Sequence, residues 1–188
     1  MRLIFRRPKT ALDRLLSAAW QCRTCGEPHE GHSHLSAPAP VVWNGPEQQE
    51  PNGALRLDGD FLSEDFCVVG GKHFVVRAVL EIPVHGLAEA FGFGIWSTLS
   101  RENFDTYVDG FDDGDYADWG PWPGWFSNDL EPFGETLNEA CWVEPRPDRE
   151  RPLVTIMDRH HPLAAAQRDG ITAERVLELY AFYGHAAE

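Results

Sequence analysis

No stretch of this chain approaches the roughly eighteen consecutive apolar residues that a membrane-crossing helix needs, and its charged start lacks the apolar centre of a secretory signal. A soluble, cytoplasmic protein is therefore expected. Cysteine is scarce: four in 188 residues, with Cys67 and Cys141 isolated, cannot staple a disulfide scaffold, so reduced thiols are expected. Positive charge is in short supply too. With 16 Lys and Arg against 30 Asp and Glu, the net charge is −14, a field that repels polyanions and argues against nucleic acid or an acidic membrane surface as the main partner. Residues 1–14 run against this trend, carrying a net +4 and leaving −18 for the rest.

What the sequence does have is apolar mass. Hydrophobic residues make up 43% and aromatics 12%, including seven Trp and eleven Phe, so a core can form despite the low mean hydropathy. A chain of this length fits one domain, or one domain with a small appendage, and buries about 70% of its unfolded surface.

Local signals outline the elements. Thr10 followed by Asp13 opens a short helix whose Leu12, Leu15, Leu16 and Ala19 share one face. Pro, Gly and Asn crowd the segment up to about residue 54, which predicts irregular structure. Apolar runs on either side of Gly70 and Gly71 predict a hairpin, and "FGFGIWSTLS" another strand, with Gly92 and Gly94 allowing a bulge or a close backbone approach. Ser100 caps a helix through Phe104, Tyr107 and Val108 rather than acting as a nucleophile, since no G-x-S-x-G elbow surrounds it. "EACWVE" and "PLVTIM" read as two further strands. Two helices close the chain, one from Pro162 to Gly170 and one capped by Thr172 and ended by Gly184. Strands in the middle and helices at both ends predict an α+β fold with a mainly antiparallel sheet.

Two acidic or metal-ligating stretches stand out. Asp109, Asp112, Asp113, Asp115 and Asp118 match no register of a calcium loop, which needs alternating oxygen ligands, a Gly at the sixth position and a Glu at the twelfth. A solvated acidic loop is expected. "CRTCGEPHEGHSH" places Cys22, Cys25, His29, His32 and His34 within thirteen positions. C-x-x-C lets two thiolates bind one tetrahedral ion, and Gly26 permits the tight turn of a zinc-knuckle-like N-terminal section. A thioredoxin-like redox pair would need to open a helix after a buried strand, which Gly26 and Pro28 oppose. Zinc, redox chemistry and plain solvated side chains all remain open at the level of spacing.

From Trp20 to about His185 the chain resembles the bacterial DUF2199 family of unknown function. The resemblance is carried by "CRTCGEPHEG", "EDFCVV", "LEIPVHG", "FGFGIWSTLSRENF", "GWFSNDL", "TLNEACWVEPRPDRERP" and "HPLAAAQRDGIT". It implies a helical extension over residues 1–19 and a single α+β domain over 20–188. It also implies a ligand set: Cys22, Cys25, His29 and Cys67 would form a closed, structural Cys₃His zinc site, with His32 and His34 outside it. The sequence departs from the family pattern in two places: His160 stands where an acid usually precedes His161, and Glu144 where a His is common. Both departures weaken an Asp/His chemistry shared by the family.

Two functions follow. An acidic, zinc-stabilised, non-enzymatic binding protein would use "WGPWPGW", with Trp119, Trp122 and Trp125, to hold a protein or peptide, a basic one by charge. The alternative is a hydrolase-like enzyme with a cleft near His161 and Arg151, where His161 would need an orienting partner to act as a base; the expected role of His161 itself, just before Pro162, is a helix cap or packing residue.

Overall fold

The computed structural model describes residues 9–17, 19–21, 28–114 and 119–184, and of 19–21 and 28–30 the backbone alone. In chain order the elements are α1 (Ala11–Leu16), β1 (Ala19–Gln21), β2 (Pro28–Glu30), β3 (Leu35–Ser36), β4 (Phe61–Leu62), β5 (Phe66–Val69), β6 (His73–Ile82), β7 (Phe91–Leu99), α2 (Arg101–Asp109), β8 (Trp122–Trp125), β9 (Ala140–Glu144), β10 (Leu153–Ile156), α3 (Pro162–Asp169) and α4 (Ala173–Phe182). Among these residues no helix is long and apolar enough to cross a membrane.

Local chemistry sets the punctuation. Gly70 and Gly71 both adopt left-handed backbone, φ +58° and +62°, and turn β5 onto β6. Thr10 and Asp13 cap α1 reciprocally, and the Ser100 and Thr172 hydroxyls accept from Asn103 N–H and Arg175 N–H at the starts of α2 and α4.

Long-range pairing then builds one eight-stranded sheet in the order β3-β7-β6-β10-β9-β8, with β5 also on β6 and β4 on β5. The expectation of a mainly antiparallel sheet needs correction. The sheet is mixed: β3 runs parallel to β7 and β10 parallel to β6. Glycine turns and hairpin spacing report antiparallel neighbours, whereas a pair such as Val79 and Leu153 joins distant segments and leaves no local mark. The sheet also curls. Phe126, just past β8, bridges back to Ser97 of β7, and Ser127 N–H donates to Trp96 C=O at 2.9 Å.

Strand alternation divides the sheet into two faces. On the inner face, Phe74, Val76, Ala78, Leu80 and Ile82 of β6 join Phe91, Phe93 and Ile95 of β7 in the main core. Phe104, Leu163, Val176, Leu179 and Tyr180 from the helices complete it. Leu15 of α1, fully buried, belongs to the same core, and α1 packs against α4, so the helix of the expected extension is built into the body. On the outer face a smaller cluster of Leu62, Cys67, Val75 and Trp96 lies beneath Ala37, Ala39, Val42 and Trp43. The Pro-rich segment after β3 is therefore a cover for half of the outer face. Asn128 fastens it, accepting from Trp96 N–H at 2.7 Å and donating to Ala39 C=O at 3.1 Å.

The two-stranded ribbon of β1 and β2 pairs Trp20 with His29 and Gln21 with Pro28. The expected knuckle around Cys22 and Cys25 lies outside the described residues, as do Asp115 and Asp118 of the acidic loop.

Candidate binding surface

Register alone fixes which side chains share the uncovered half of the outer face. Residues directly paired across a sheet point to the same side. One row runs Ser36, Gly94, Val79, Leu153 and Glu144 across β3, β7, β6, β10 and β9. A neighbouring row sets Thr155 of β10 beside Trp142 of β9 and Pro123 of β8, and Trp125 faces Ala140 one step further on. Glu81 stands opposite Gly92.

This half of the face is hollow. One cleft of about 420 Å³ is lined by His34, Val79, Glu81, Glu89, Gly92 and Arg151, and a second of about 430 Å³ by Leu153, Thr155, Arg159 and Arg168; the two share Glu81 and Ala90. The glycines of β7 make room for the wall. A Cβ on Gly92 would lie 2.9 Å from the His34 ring and one on Gly94 2.9 Å from Ser36 Oγ. His34 Nδ1 accepts the Gly92 N–H at 2.9 Å, so its ring seals the strand edge as well as lining the cleft.

Three cations beside the clefts, Arg151, Arg77 and Arg146, are already engaged. Arg151 holds Asp65 at 3.1 Å and Glu64 at 2.7 Å, while Arg77 bonds Ser36 Oγ and stacks over Trp96, its guanidinium 5.7 Å from the ring. Burial, then the nearby Arg151, holds Arg77 below its ordinary value. Arg146 lies 3.6 Å from Glu81 and 2.9 Å from Glu150. Among described residues Glu89 and Glu144 form no ion pair.

The tryptophans separate into two groups. Trp119 and Trp122 pack on the main core, their rings 6.5 Å apart and Trp122 6.3 Å from Tyr107. Trp125 is 56% exposed and Trp142 43%. Trp142 was not among the residues expected on the binding surface, although the strand "ACWVE" places it between buried Cys141 and Val143 and hence on the solvent side.

The structure does not bring His161 and Arg151 together. They stand at opposite ends of β10, and His161 is the cap of α3: its Nδ1 accepts Leu163 N–H at 3.1 Å and its Nε2 lies 3.1 Å from Glu135 C=O. Both ring nitrogens of His161 are engaged in these contacts, so this side chain is not poised as the base of the hydrolase-like reading. Of the expected zinc ligands, Cys22 and Cys25 lie outside the described residues and His29 is described by its backbone. Cys67 sits among Leu62, Val75 and Trp96, and burial pushes its thiol up to about 12. Among the described residues no three His, Cys, Asp or Glu side chains converge as a metal centre would require. His32 packs on Phe91 and His34, with ring centroids 5.9 and 5.7 Å away, and among the described residues its Nε2 is buried without a hydrogen-bond partner.

No curated protein and no solved structure matches this chain. A family model does match, over residues 21–171, and its span takes in the sheet, α2, α3 and the whole outer face just described. The chain belongs to that family, DUF2199, described as uncharacterized proteins conserved in bacteria.

Proposed function

We propose that this protein is a non-enzymatic binding protein that takes a basic protein or peptide segment across the open half of its outer face. The observation that carries the reading is the juxtaposition of two exposed tryptophans with an acid that forms no ion pair among the described residues: Trp125 and Trp142 lie on adjacent strands, and Glu144 shares a strand face with Trp142. Aromatic side chains supply large, rigid contact area, and carboxylates beside them select for Lys or Arg. Glu81 and Glu89 extend the acidic flank into the cleft, and the net charge of −14 draws a basic partner from a distance.

Titration of the purified chain with a library of Lys- and Arg-containing peptides, followed by tryptophan fluorescence, tests the reading. The W125A/W142A variant is expected to lose at least about tenfold in affinity, in line with buried aromatic anchors worth about 2 kcal/mol each. W119A/W122A is expected to lower stability instead. Binding by W125A/W142A equal to wild type, or no bound peptide at all, sinks the proposal.

A stabilising zinc is part of the same reading. Its support is the C-x-x-C-G-x-x-H spacing of Cys22, Cys25 and His29. Cys67, the fourth ligand implied by the family resemblance, is the weak member, because its thiol is packed as a core residue is.

A further inference from the structure

We infer that the basic segment of the proposed function is a carboxyl-terminal one, held by an open strand edge at Glu81 and by Arg159 at its terminal carboxylate. The inference rests on the peptide-binding half of that reading and deepens it.

The open edge arises because a parallel ladder stops after one pair. β10 meets β6 at Leu153 and Val79, where Val79 N–H donates to Pro152 C=O at 2.9 Å, and no later residues of the two strands pair. Alternation fixes where the next backbone groups of β6 point. Opposite Glu81, Gly92 turns its N–H away from β6 and donates it to His34, which marks Glu81 and Gly92 as a non-hydrogen-bonded pair. Glu81 N–H and C=O therefore face the β10 side, as Val79 N–H does. The groups of β10 that would meet them are taken: Gln167 of α3 accepts Ile156 N–H through Oε1 at 3.1 Å and donates from Nε2 to Val154 C=O at 2.8 Å. One side-chain amide thus serves β10 alone. Past the gap the chain after β6 is paired again, Pro83 C=O accepting Ile171 N–H at 2.8 Å and His85 N–H donating to Ile171 C=O at 2.9 Å. What stays open is a window at Glu81, which no backbone partner fills among the described residues.

Such a window accepts one residue of an extended chain, which can exchange both hydrogen bonds with Glu81 as an antiparallel pair does. The cleft of about 430 Å³ lies against it. Charge gives the bound chain a direction. The two clefts joined at Glu81 run from Glu89 in one to Arg159 in the other, and among the described residues neither of these forms an ion pair. The remaining charges in the clefts are answered: Arg151 by Glu64 and Asp65, Glu81 by Arg146, and Arg168 by Asp169 at 2.6 Å. A peptide end with a Lys or Arg side chain toward Glu89 and its carboxylate toward Arg159 matches both free charges.

The test uses the Lys- and Arg-containing peptide library made in two forms, free acid and carboxyl-terminal amide, titrated into the full chain as wild type and R159A, with circular dichroism as the folding control. Free acids are expected to bind wild type at least about tenfold more tightly than the matching amides, the scale of one charge-assisted hydrogen bond, and the two forms to bind R159A alike. Hydrogen exchange on wild type supplies a reading that needs no variant: a bound free acid should slow exchange at the Glu81 amide. Equal binding of acids and amides by wild type, a preference for acids that survives in R159A, or unchanged exchange at Glu81 overturns the inference while leaving the peptide-binding reading intact. No peptide bound in either form overturns both.

Discussion

At the scale of single residues, the structure converts chemistry-bearing side chains into structural ones. His161, just before Pro162, is expected to cap or pack rather than catalyse, and its two nitrogens do serve a helix cap and a bridge to Glu135. The H161A variant is expected to lose about 1–2 kcal/mol of stability in urea unfolding, the usual cost of a lost cap, and H161N to recover most of the capping part. The buried thiols behave alike. Burial pushes Cys67 up to about 12; it also pushes Cys141 up to about 11, against the weaker opposite effect of its hydrogen bond with Ser97. Both should stay protonated in the folded chain, so alkylation at about pH 8 is expected to reach them only on unfolding. Because these folded values lie above the unfolded one, the contribution to stability is complete below about pH 9 and is lost as pH rises through about 11 to 12. Urea unfolding at mildly and strongly alkaline pH checks the sign: stability that rises with pH in this window contradicts the assignment.

Among elements, the decisive contact is the return of β8 to β7. Gly124 passes so close that an added Cβ would lie 2.4 Å from Thr98 C=O, 2.7 Å from Ser97 Oγ and 3.0 Å from Val143. Backbone cannot step aside as a side chain can, so G124A should cost about 1–3 kcal/mol by overpacking. It should also loosen β8 first, which hydrogen exchange at Trp125 and Ser127, whose amides donate to Thr98 Oγ1 and Trp96 C=O of β7, would report as early opening. Protection unchanged at those amides would mean that the curl is held elsewhere. The same approach has a consequence for binding, because Trp125 follows Gly124 directly and its N–H donates to Thr98 Oγ1 at 3.0 Å. Closing the sheet thus orients the exposed Trp125.

For the whole molecule, charge and surface relief act together. A body with a net −18 beyond residue 14 attracts basic segments from many directions, and this field alone confers no specificity. Specificity needs relief, and the cover over Trp96 provides it by occupying one half of the outer face and leaving the other as a walled cleft that leads to Trp142. Affinity for a basic peptide should therefore fall with added salt in wild type, through the long-range term, while the loss caused by W125A/W142A persists at high salt. A salt-independent affinity would assign the recognition to apolar contact alone.

The sequence by itself determined whatever depends on neighbours along the chain. The Gly70-Gly71 turn, the caps at Thr10, Ser100 and Thr172, the Pro162 and Gly170 bounds of α3 and the alternation of β6 and β9 are all legible there, because turn and cap energies reside in three or four consecutive residues. Even Trp142's outward direction was written in "ACWVE". Tertiary structure alone decided which strands meet in parallel, that the Pro-rich segment covers Trp96 instead of trailing as a linker, and that Trp119 and Trp122 pack inward while Trp125 faces solvent. Each of these outcomes depends on the register between segments tens of residues apart, such as Val79 with Leu153 or Asn128 with Ala39. That register is selected by the packing of the complete core, so no local stretch carries its signature.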